Sequence, residues 1–334
     1  MSLALITGAS GLVGSHIVER LRRDGWALRA LVRNRATAGW LSAQGVELRD
    51  GDTQDAVAYR RAAEGAQFVF HCAAAITPRG GWEAYRAPNI DGTANAVEAA
   101  ARAGARLLHL SSVAVYGPEG RYALARGEGL QELQPMRPIP EQWWYARSKR
   151  ESEALVMDAH RTGRVWATAV RPCVIYGPRD RQFIPRVATV LRLPVVPRIG
   201  NGRAVLSIVH ARSVAEVAVR AVTGEIAGGR AYNVTNDPPL SVQGFYEAAQ
   251  EGLGLRARWL PIPGSAVQAA LGGAGTVARA LRIPGSWLLS ARSLDFLLQD
   301  NPFSSDRARI ELGWTSGIDP HAGVVEAFRD CLAR

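Results

Sequence analysis

Short, mostly apolar runs alternate with longer amphipathic stretches through the first half of the chain. Leu3 to Thr7, Ala27 to Val32, Gly45 to Arg49, Phe68 to Cys72, Leu107 to Ser111 and Trp166 to Arg171 have the length and texture of strands buried on both faces. Between most of them the period changes from two to 3.6 residues. Leu12 to Arg23 places Val13, Ile17 and Leu21 on one face, and Ile90 to Ala103 reads as an Ala-rich helix entered at Asn89. Strands that alternate with helices in this way predict an α/β protein built on a doubly wound parallel sheet.

The alternation breaks near Tyr176-Gly177-Pro178, and beyond it Pro194, Pro197, Pro238, Pro239, Pro261, Pro263 and Pro284 separate shorter elements. Residues 1–176 are therefore expected to form one domain and 177–334 mainly a smaller C-terminal α/β lobe that binds substrate. Segments at about 205–235 are expected to return to the first domain. There, Ser213-Val214-Ala215-Glu216 reads as a capping box that opens a helix.

Composition changes the picture in three ways. With 334 residues, 47% hydrophobic and 21% charged, the chain can bury a sizeable core and is not disordered. The longest uncharged stretch, Trp259 to Ala278, is broken by Pro261, Pro263, Gly264, Gly272, Gly273 and Gly275, so no membrane span is expected. Helices closing over the substrate from Pro261 to Leu289 are expected instead. The opening Met1-Ser2-Leu3-Ala4-Leu5-Ile6-Thr7 lacks a basic n-region, and Cys72, Cys173 and Cys331 show neither metal-ligand nor disulfide spacing; both point to the cytoplasm. A net charge of +10 invites a nucleic-acid reading, but the arginines are scattered and no basic run or recognition motif accompanies them, so no nucleic-acid partner is expected.

The candidate chemistry begins with Thr7-Gly8-Ala9-Ser10-Gly11-Leu12-Val13-Gly14, directly after the first strand and opening the first helix. Glycines there permit a tight turn and close backbone approach, so the helix N-terminus can hold a pyrophosphate. The second strand then ends in Val32-Arg33-Asn34, with Val32 where a ribose-binding acid is usual and Arg33 suited to a 2′-phosphate. NADP is accordingly expected over NAD. Gly51-Asp52-Thr53 follows the third strand, where a carboxylate either accepts from the adenine amino group or simply forms the turn.

Tyr145-Ala146-Arg147-Ser148-Lys149 sets a phenol and an ammonium four residues apart, on one helix face, where the ammonium can stabilise a phenolate. Lys149 is the only lysine among 40 basic residues. Upstream, Ser112 follows the strand ending at Ser111, at the sheet edge where open α/β folds bind ligands. Its hydroxyl can donate to a substrate oxygen. Trp82, Tyr85, Trp143 and Trp144 flank this region and could wall an apolar or ring-shaped substrate, or merely pack. His16, His71, His109 and His210 have no metal spacing, and no metal is expected.

Together these motifs resemble the extended short-chain dehydrogenase/reductase family, the NAD(P)-dependent epimerase/dehydratase superfamily. The resemblance continues through His71-Cys72-Ala73-Ala74, Asn89-Ile90-Asp91-Gly92-Thr93, Val170-Arg171-Pro172, Ile208-Val209-His210, Tyr232-Asn233-Val234 and Glu311-Leu312-Gly313-Trp314. It implies a Rossmann first domain, with Ser112, Tyr145 and Lys149 as the catalytic set. It also implies a cofactor site of Gly8, Ser10, Gly11, Leu12, Val13, Gly14, Arg33, Asp52, Thr53, Ala73, Ala74 and Asn89, joined by Tyr145, Lys149 and the nicotinamide-side Pro172 and Val174.

Within that family the sequence departs from two patterns. Val113-Ala114 stands where nucleotide-sugar dehydratases carry Asp-Glu, which removes their acid and base. Leu206 and Arg212-Ser213 stand where many nucleotide-sugar epimerases carry an Arg and an acid, which weakens that reading. The remainder is similar to the 3β-hydroxysteroid dehydrogenase and dihydroflavonol-reductase-like branch, including Trp287 to Phe303 and Ser304 to Arg309. The expected activity is hydride transfer between nicotinamide C4 and a carbonyl or secondary alcohol of a small apolar or ring-shaped molecule, with Tyr145 as acid and base. A nucleotide-sugar epimerase and a non-catalytic NADP-binding redox regulator are the alternatives, and a homodimer is left open.

Overall fold

The computed structural model describes residues 2–76, 80–117, 131–134, 136–265 and 296–334. They divide into two compact units. The first comprises Met1–Cys173, Ala211–Val234 and Phe303–Thr315, and the second Val174–His210, Thr235–Pro302 and Ser316–Arg334. The change of unit falls at Cys173/Val174, ahead of Tyr176. The return begins at Ala211, and the second return, Phe303–Thr315, has no signal in the hydrophobic pattern.

The first unit is a doubly wound α/β layer structure. Its strands are β1 (Leu3–Thr7), β2 (Ala27–Val32), β3 (Glu47–Asp50), β4 (Phe68–His71), β5 (Arg106–Leu110), β6 (Ala167–Pro172) and β10 (Ala231–Val234). They pair in parallel in the order β10-β6-β5-β4-β1-β2-β3. One face carries α3 (Ala56–Ala63), α5 (Gly92–Ala103) and α6 (Trp144–Arg161), whose Ala62, Ala96, Ala100 and Ala159 let the helices sit close on Leu5, Val69, Leu107 and Ala167. α1 (Leu12–Arg23) packs with α8 (Ala211–Thr223), and Arg20 donates to Glu216 between them. The third strand begins two residues and ends one residue later than the sequence pattern suggests, and the ends of β4, β5 and β6 each differ from expectation by one residue.

Three local expectations are corrected. Asn89 does not cap a helix. It lies within a π-turn, Ala87–Asp91, that joins α4 (Glu83–Arg86) to α5 in one helical run. Pro88 supplies the reason: without an N–H it cannot bond one turn back, and a wider turn absorbs the loss. Ser213 does not open its helix either, because α8 begins at Ala211 and Glu216 turns to Arg20. Finally, Pro261 and Ile262 belong to a strand, β11 (Trp259–Ile262), rather than to a closing helix. Gly264 and Ser265 are helical, and the remainder of that expected segment, 266–289, lies outside the described residues.

In the second unit, β7 (Val174–Tyr176) pairs with β9 (Ile208–His210) and β8 (Val196–Ile199) with β11. Around them α7 (Phe183–Leu191), α9 (Val242–Leu253) and the helix Pro320–Ala333 close a separate core on Ile184, Leu191, Phe245, Ala249, Val324 and Phe328. Among the described residues no helix is long and apolar enough to cross a membrane.

Candidate active site

The glycine turn is shaped by what it leaves out. Gly8 sits at φ +67°, and a Cβ there would lie 2.8 Å from the backbone nitrogen of Ala73. A Cβ on Gly14 would meet the Gly8 carbonyl. Ser10 and Gly11 are exposed at the mouth of the turn, and no side chain caps α1, whose Leu12, Val13 and Gly14 follow directly. The first N–H groups of a helix lack intrahelical partners and carry the positive end of its dipole, so this end fits an anionic pyrophosphate.

At the end of β2, Val32 is buried and the Arg33 side chain is 81% exposed, its guanidinium 3.8 Å from Asp52. The next arginine is not comparable: Arg35 donates twice to Asp50, at 2.8 and 2.9 Å, and once to the Leu48 carbonyl. Asp52 accepts from the Gln54 backbone at 2.9 Å, which is the turn-forming role. Thr53 is docked on α5 through its carbonyl, which accepts from Asn95.

Beneath the loop after β4 lies a buried polar hub. Register places Thr7 beside His71, and His71 beside His109, on adjacent strands. His71 Nδ1 lies 3.0 Å from Thr7 Oγ1 and 3.1 Å from the Tyr59 hydroxyl, and its Nε2 lies 3.0 Å from Thr93 Oγ1. Thr93 donates to the Asn89 carbonyl, so its oxygen accepts from His71 Nε2–H, which fixes the tautomer. Burial, with Lys149 adding to it, lowers the His71 pKa to about 3. Thr7 Oγ1 in turn accepts from Ala73, which ties the loop carrying Ala73 and Ala74 to β1.

Asn89 links this loop to the helix of Tyr145. Its Oδ1 accepts from the Ala75 nitrogen at 2.7 Å, and its Nδ2 donates to the Ala75 carbonyl and to Ser148 Oγ, each at 2.9 Å. Ser148 donates onward to the Tyr145 carbonyl. The Asn89 amide is thus fully engaged with protein groups, a positioning role that the sequence reading, which counted it with the cofactor contacts, did not foresee.

Ser112, Tyr145 and Lys149 come together at the carboxyl end of β5. A hydrogen bond joins Ser112 and Tyr145 and pulls the phenol pKa down, but burial pushes it further up, so the phenol stays protonated well into the alkaline range. Lys149 is buried, and its Nζ donates to the Leu110 carbonyl at 2.7 Å. Burial lowers its pKa to about 8, while Cys72 and Glu153 pull it upward. The sequence reading had the ammonium lowering the Tyr145 pKa; in the structure it is turned to the backbone of β5, and burial governs the phenol.

One turn beyond Lys149, Glu153 forms a buried pair with Arg171 of β6, whose guanidinium also donates to the Tyr116 hydroxyl at 2.8 Å. Tyr116 donates to Asn233 of β10, and Phe303 stacks on its ring. This pair was missed, although Lys149 and Glu153 stand four apart on one helical face. Of the aromatic residues, Tyr85 lies 6.1 Å from Trp144, next to Tyr145, while Trp82 lies under the Arg147 guanidinium. Pro172 ends β6 buried; Val174 opens β7 in the other unit and is exposed. Among the described residues no group of acidic, His or Cys side chains is arranged to hold a metal.

Known proteins resemble this chain over most of its length. Residues 4–235 match the family described as the NAD dependent epimerase/dehydratase family. The 4-hydroxy-2-methyl-3-oxo-4-farnesyl-3,4-dihydroquinoline-1-oxide ketoreductase of Stigmatella aurantiaca is 28% identical over 96% of this chain and 93% of its own length. The 3beta-hydroxysteroid-dehydrogenase/decarboxylase isoform 1 of Arabidopsis thaliana is 27% identical over 96% of this chain and 77% of its own length. The structure of Thermus thermophilus UDP-glucose 4-epimerase in complex with NAD covers 99% of this chain and all of its own, with a TM-score of 0.72 at 21% identity, a likeness of fold. The chain belongs to the NAD-dependent epimerase/dehydratase family, the extended short-chain dehydrogenases/reductases, and is an NAD(P)-dependent oxidoreductase.

Proposed function

We propose that this enzyme is an NADP-preferring reductase of carbonyl groups on apolar, lipid-like or ring-shaped molecules, with Tyr145 as the proton donor. The observation that carries the reading is the cluster at the end of β5: a protonated phenol hydrogen-bonded to Ser112, with the sole lysine seated on the same strand end. The glycine turn from Gly8 to Gly14 would hold the pyrophosphate, Arg33 a 2′-phosphate, Asp52 and Thr53 the adenine side, and Ala73 and Ala74 the ribose region. Bound there, the dinucleotide supplies hydride from nicotinamide C4.

Ser112 orients and polarises the substrate oxygen, Tyr145 gives its proton to that oxygen as charge develops, and Lys149 supplies a positive charge from the next turn of the same helix. Trp144 and Tyr85 beside Tyr145 support an apolar substrate, as do the farnesylated quinoline and steroid named for two relatives.

NADPH oxidation against steroid, long-chain and polar ketones tests this. Net turnover confined to the apolar members is the expected result. Interconversion of UDP-sugars without net cofactor change would identify an epimerase, and tight NADPH binding without turnover on any substrate a regulator.

A further inference from the structure

The second unit holds a run of arginines with no acid to neutralise them. On the first unit many exposed arginines stand beside a carboxylate, as Arg35 does to Asp50, Arg147 to Glu151 and Arg161 to Asp158. From 181 to 210 the chain contains no Asp or Glu, and neither does the stretch 252–265. Arg192, Arg256 and Arg258 are exposed there, and none has an acidic partner among the described residues. The acid nearest to them in sequence, Glu251, is taken up by His321 at 3.0 Å and Arg329 at 3.4 Å.

The fold gathers these residues. β8 and β11 run parallel with Val196 opposite Trp259, so the segments that lead into them, 192–195 and 255–258, lie at the same end of the ribbon. The Val196 N–H donates to the Arg258 carbonyl at 2.8 Å across that end. Trp259 packs on the Tyr246 ring, centroids 5.1 Å apart, and Val196 is buried in the core of the unit, which fixes the ribbon from beneath. Outward, the three arginines are interleaved in sequence with Val195, Leu255 and Leu260, which are 41%, 36% and 52% exposed.

A single exposed Leu says little, but cations and aliphatic side chains on one rim, with no acid among them, match the polar and apolar halves of a bilayer interface. We propose that this end of the β8–β11 ribbon docks on an anionic lipid surface, as a peripheral contact and not a span. The guanidinium groups reach the lipid phosphates, while their stems and the three aliphatic side chains enter the boundary between headgroups and acyl chains. A nucleic acid would use the arginines but leave Val195, Leu255 and Leu260 in water. The inference rests on the reductase reading only for its purpose, since such a surface is where an apolar substrate dissolves.

The test is flotation of the full chain with vesicles of phosphatidylcholine, alone or mixed with phosphatidylglycerol. Binding to the mixed vesicles and little to phosphatidylcholine alone is expected, and no binding to the mixed vesicles overturns the proposal. A chain of net charge +10 is drawn to any anionic surface, so two variants of equal charge are compared. One is Arg192→Gln/Arg256→Gln/Arg258→Gln, and the other, Arg22→Gln/Arg23→Gln/Arg61→Gln, removes three exposed arginines of the first unit. At about fivefold per arginine near the surface, the first loses about 100-fold in partitioning and the second little. Equal losses overturn the proposal. So does undiminished binding in Val195→Ser/Leu255→Ser/Leu260→Ser, which would leave a contact of charge alone. Loss of affinity for a duplex oligonucleotide in the first arginine variant, with vesicle binding unchanged, assigns the surface to nucleic acid and overturns it as well.

Hydrogen exchange on the native chain needs no variant: mixed vesicles are expected to slow the backbone amides of 192–195 and 255–260, and slowing confined to other segments overturns the proposal. Neither measurement needs a substrate. A chain that docks but reduces no carbonyl therefore sinks the reductase reading alone, and an active reductase indifferent to vesicles sinks the docking alone.

Discussion

At the residue scale, the two arginines after β2 show how much context decides. Both were visible in the sequence, but only geometry separates them: Arg35 is clamped by Asp50 and the Leu48 carbonyl, whereas Arg33 extends into solvent at the point where β2 ends. An exposed guanidinium next to a buried Val32 can form a bidentate pair with a phosphate on the ribose, and no carboxylate at position 32 opposes it. Arg33→Asp is therefore expected to weaken NADPH by about 10-fold or more and to leave NADH nearly unchanged, since it removes one charge-assisted contact and adds a repulsive charge. Titrations of both cofactors check this, and equal shifts would show that Arg33 reads no phosphate. The same scale explains what a sequence hides. Tyr145 and Lys149 stand out in the sequence because the only lysine falls four residues after a tyrosine, and Ser112 because it follows a strand end, but the direction in which Lys149 points depends on the Leu110 carbonyl, a backbone atom with no signature in side-chain type.

At the element scale, the pieces that position the site are the glycine turn and the helix α6. β1, β2 and α1 were readable to the residue because a parallel strand buried on both faces and an amphipathic helix each leave an unambiguous period. The π-turn at Ala87–Asp91 was not, since the Ala-rich pattern continues straight across Pro88 and only the backbone hydrogen-bond count reveals the wider turn. α6 is fixed at two levels, by Asn89 of the π-turn through Ser148 near its start and by Arg171 of the sheet through Glu153 one turn past Lys149. Burial alone would lower the Arg171 pKa, and Glu153 more than offsets this, so the guanidinium remains charged inside the first unit. Glu153→Gln leaves that buried charge without its partner. A loss of about 3–5 kcal/mol in urea unfolding is expected, and a loss within the error of the measurement would mean the pair is not buried in solution.

At the scale of the whole molecule, the pH response of stability follows from the same buried groups. His71 is held neutral at a pKa of about 3 against an ordinary value of 6.5. The unfolded chain therefore binds more protons than the folded one between those values, so stability falls as the pH drops from about 6.5 towards 3. His71→Gln should flatten that slope in urea unfolding, and an undiminished slope would assign acid sensitivity elsewhere. The division of the chain was legible only in part. The proline-rich break near Tyr176 lies within three residues of the change of unit, but the return of Phe303–Thr315 rests on side-chain pairings, such as Phe303 on Tyr116 and Glu311 with Tyr232 of β10, that no local pattern encodes.

The central claim is that Tyr145 gives the proton during hydride transfer to an apolar carbonyl. The most direct measurement is steady-state NADPH oxidation by Tyr145→Phe on the best ketone found for the native chain, beside an NADPH binding titration of the same variant. The account predicts a loss of about 10² or more in turnover, the scale of positioned proton transfer, with cofactor affinity changed little because the phenol serves the chemistry. Native turnover in Tyr145→Phe would contradict it.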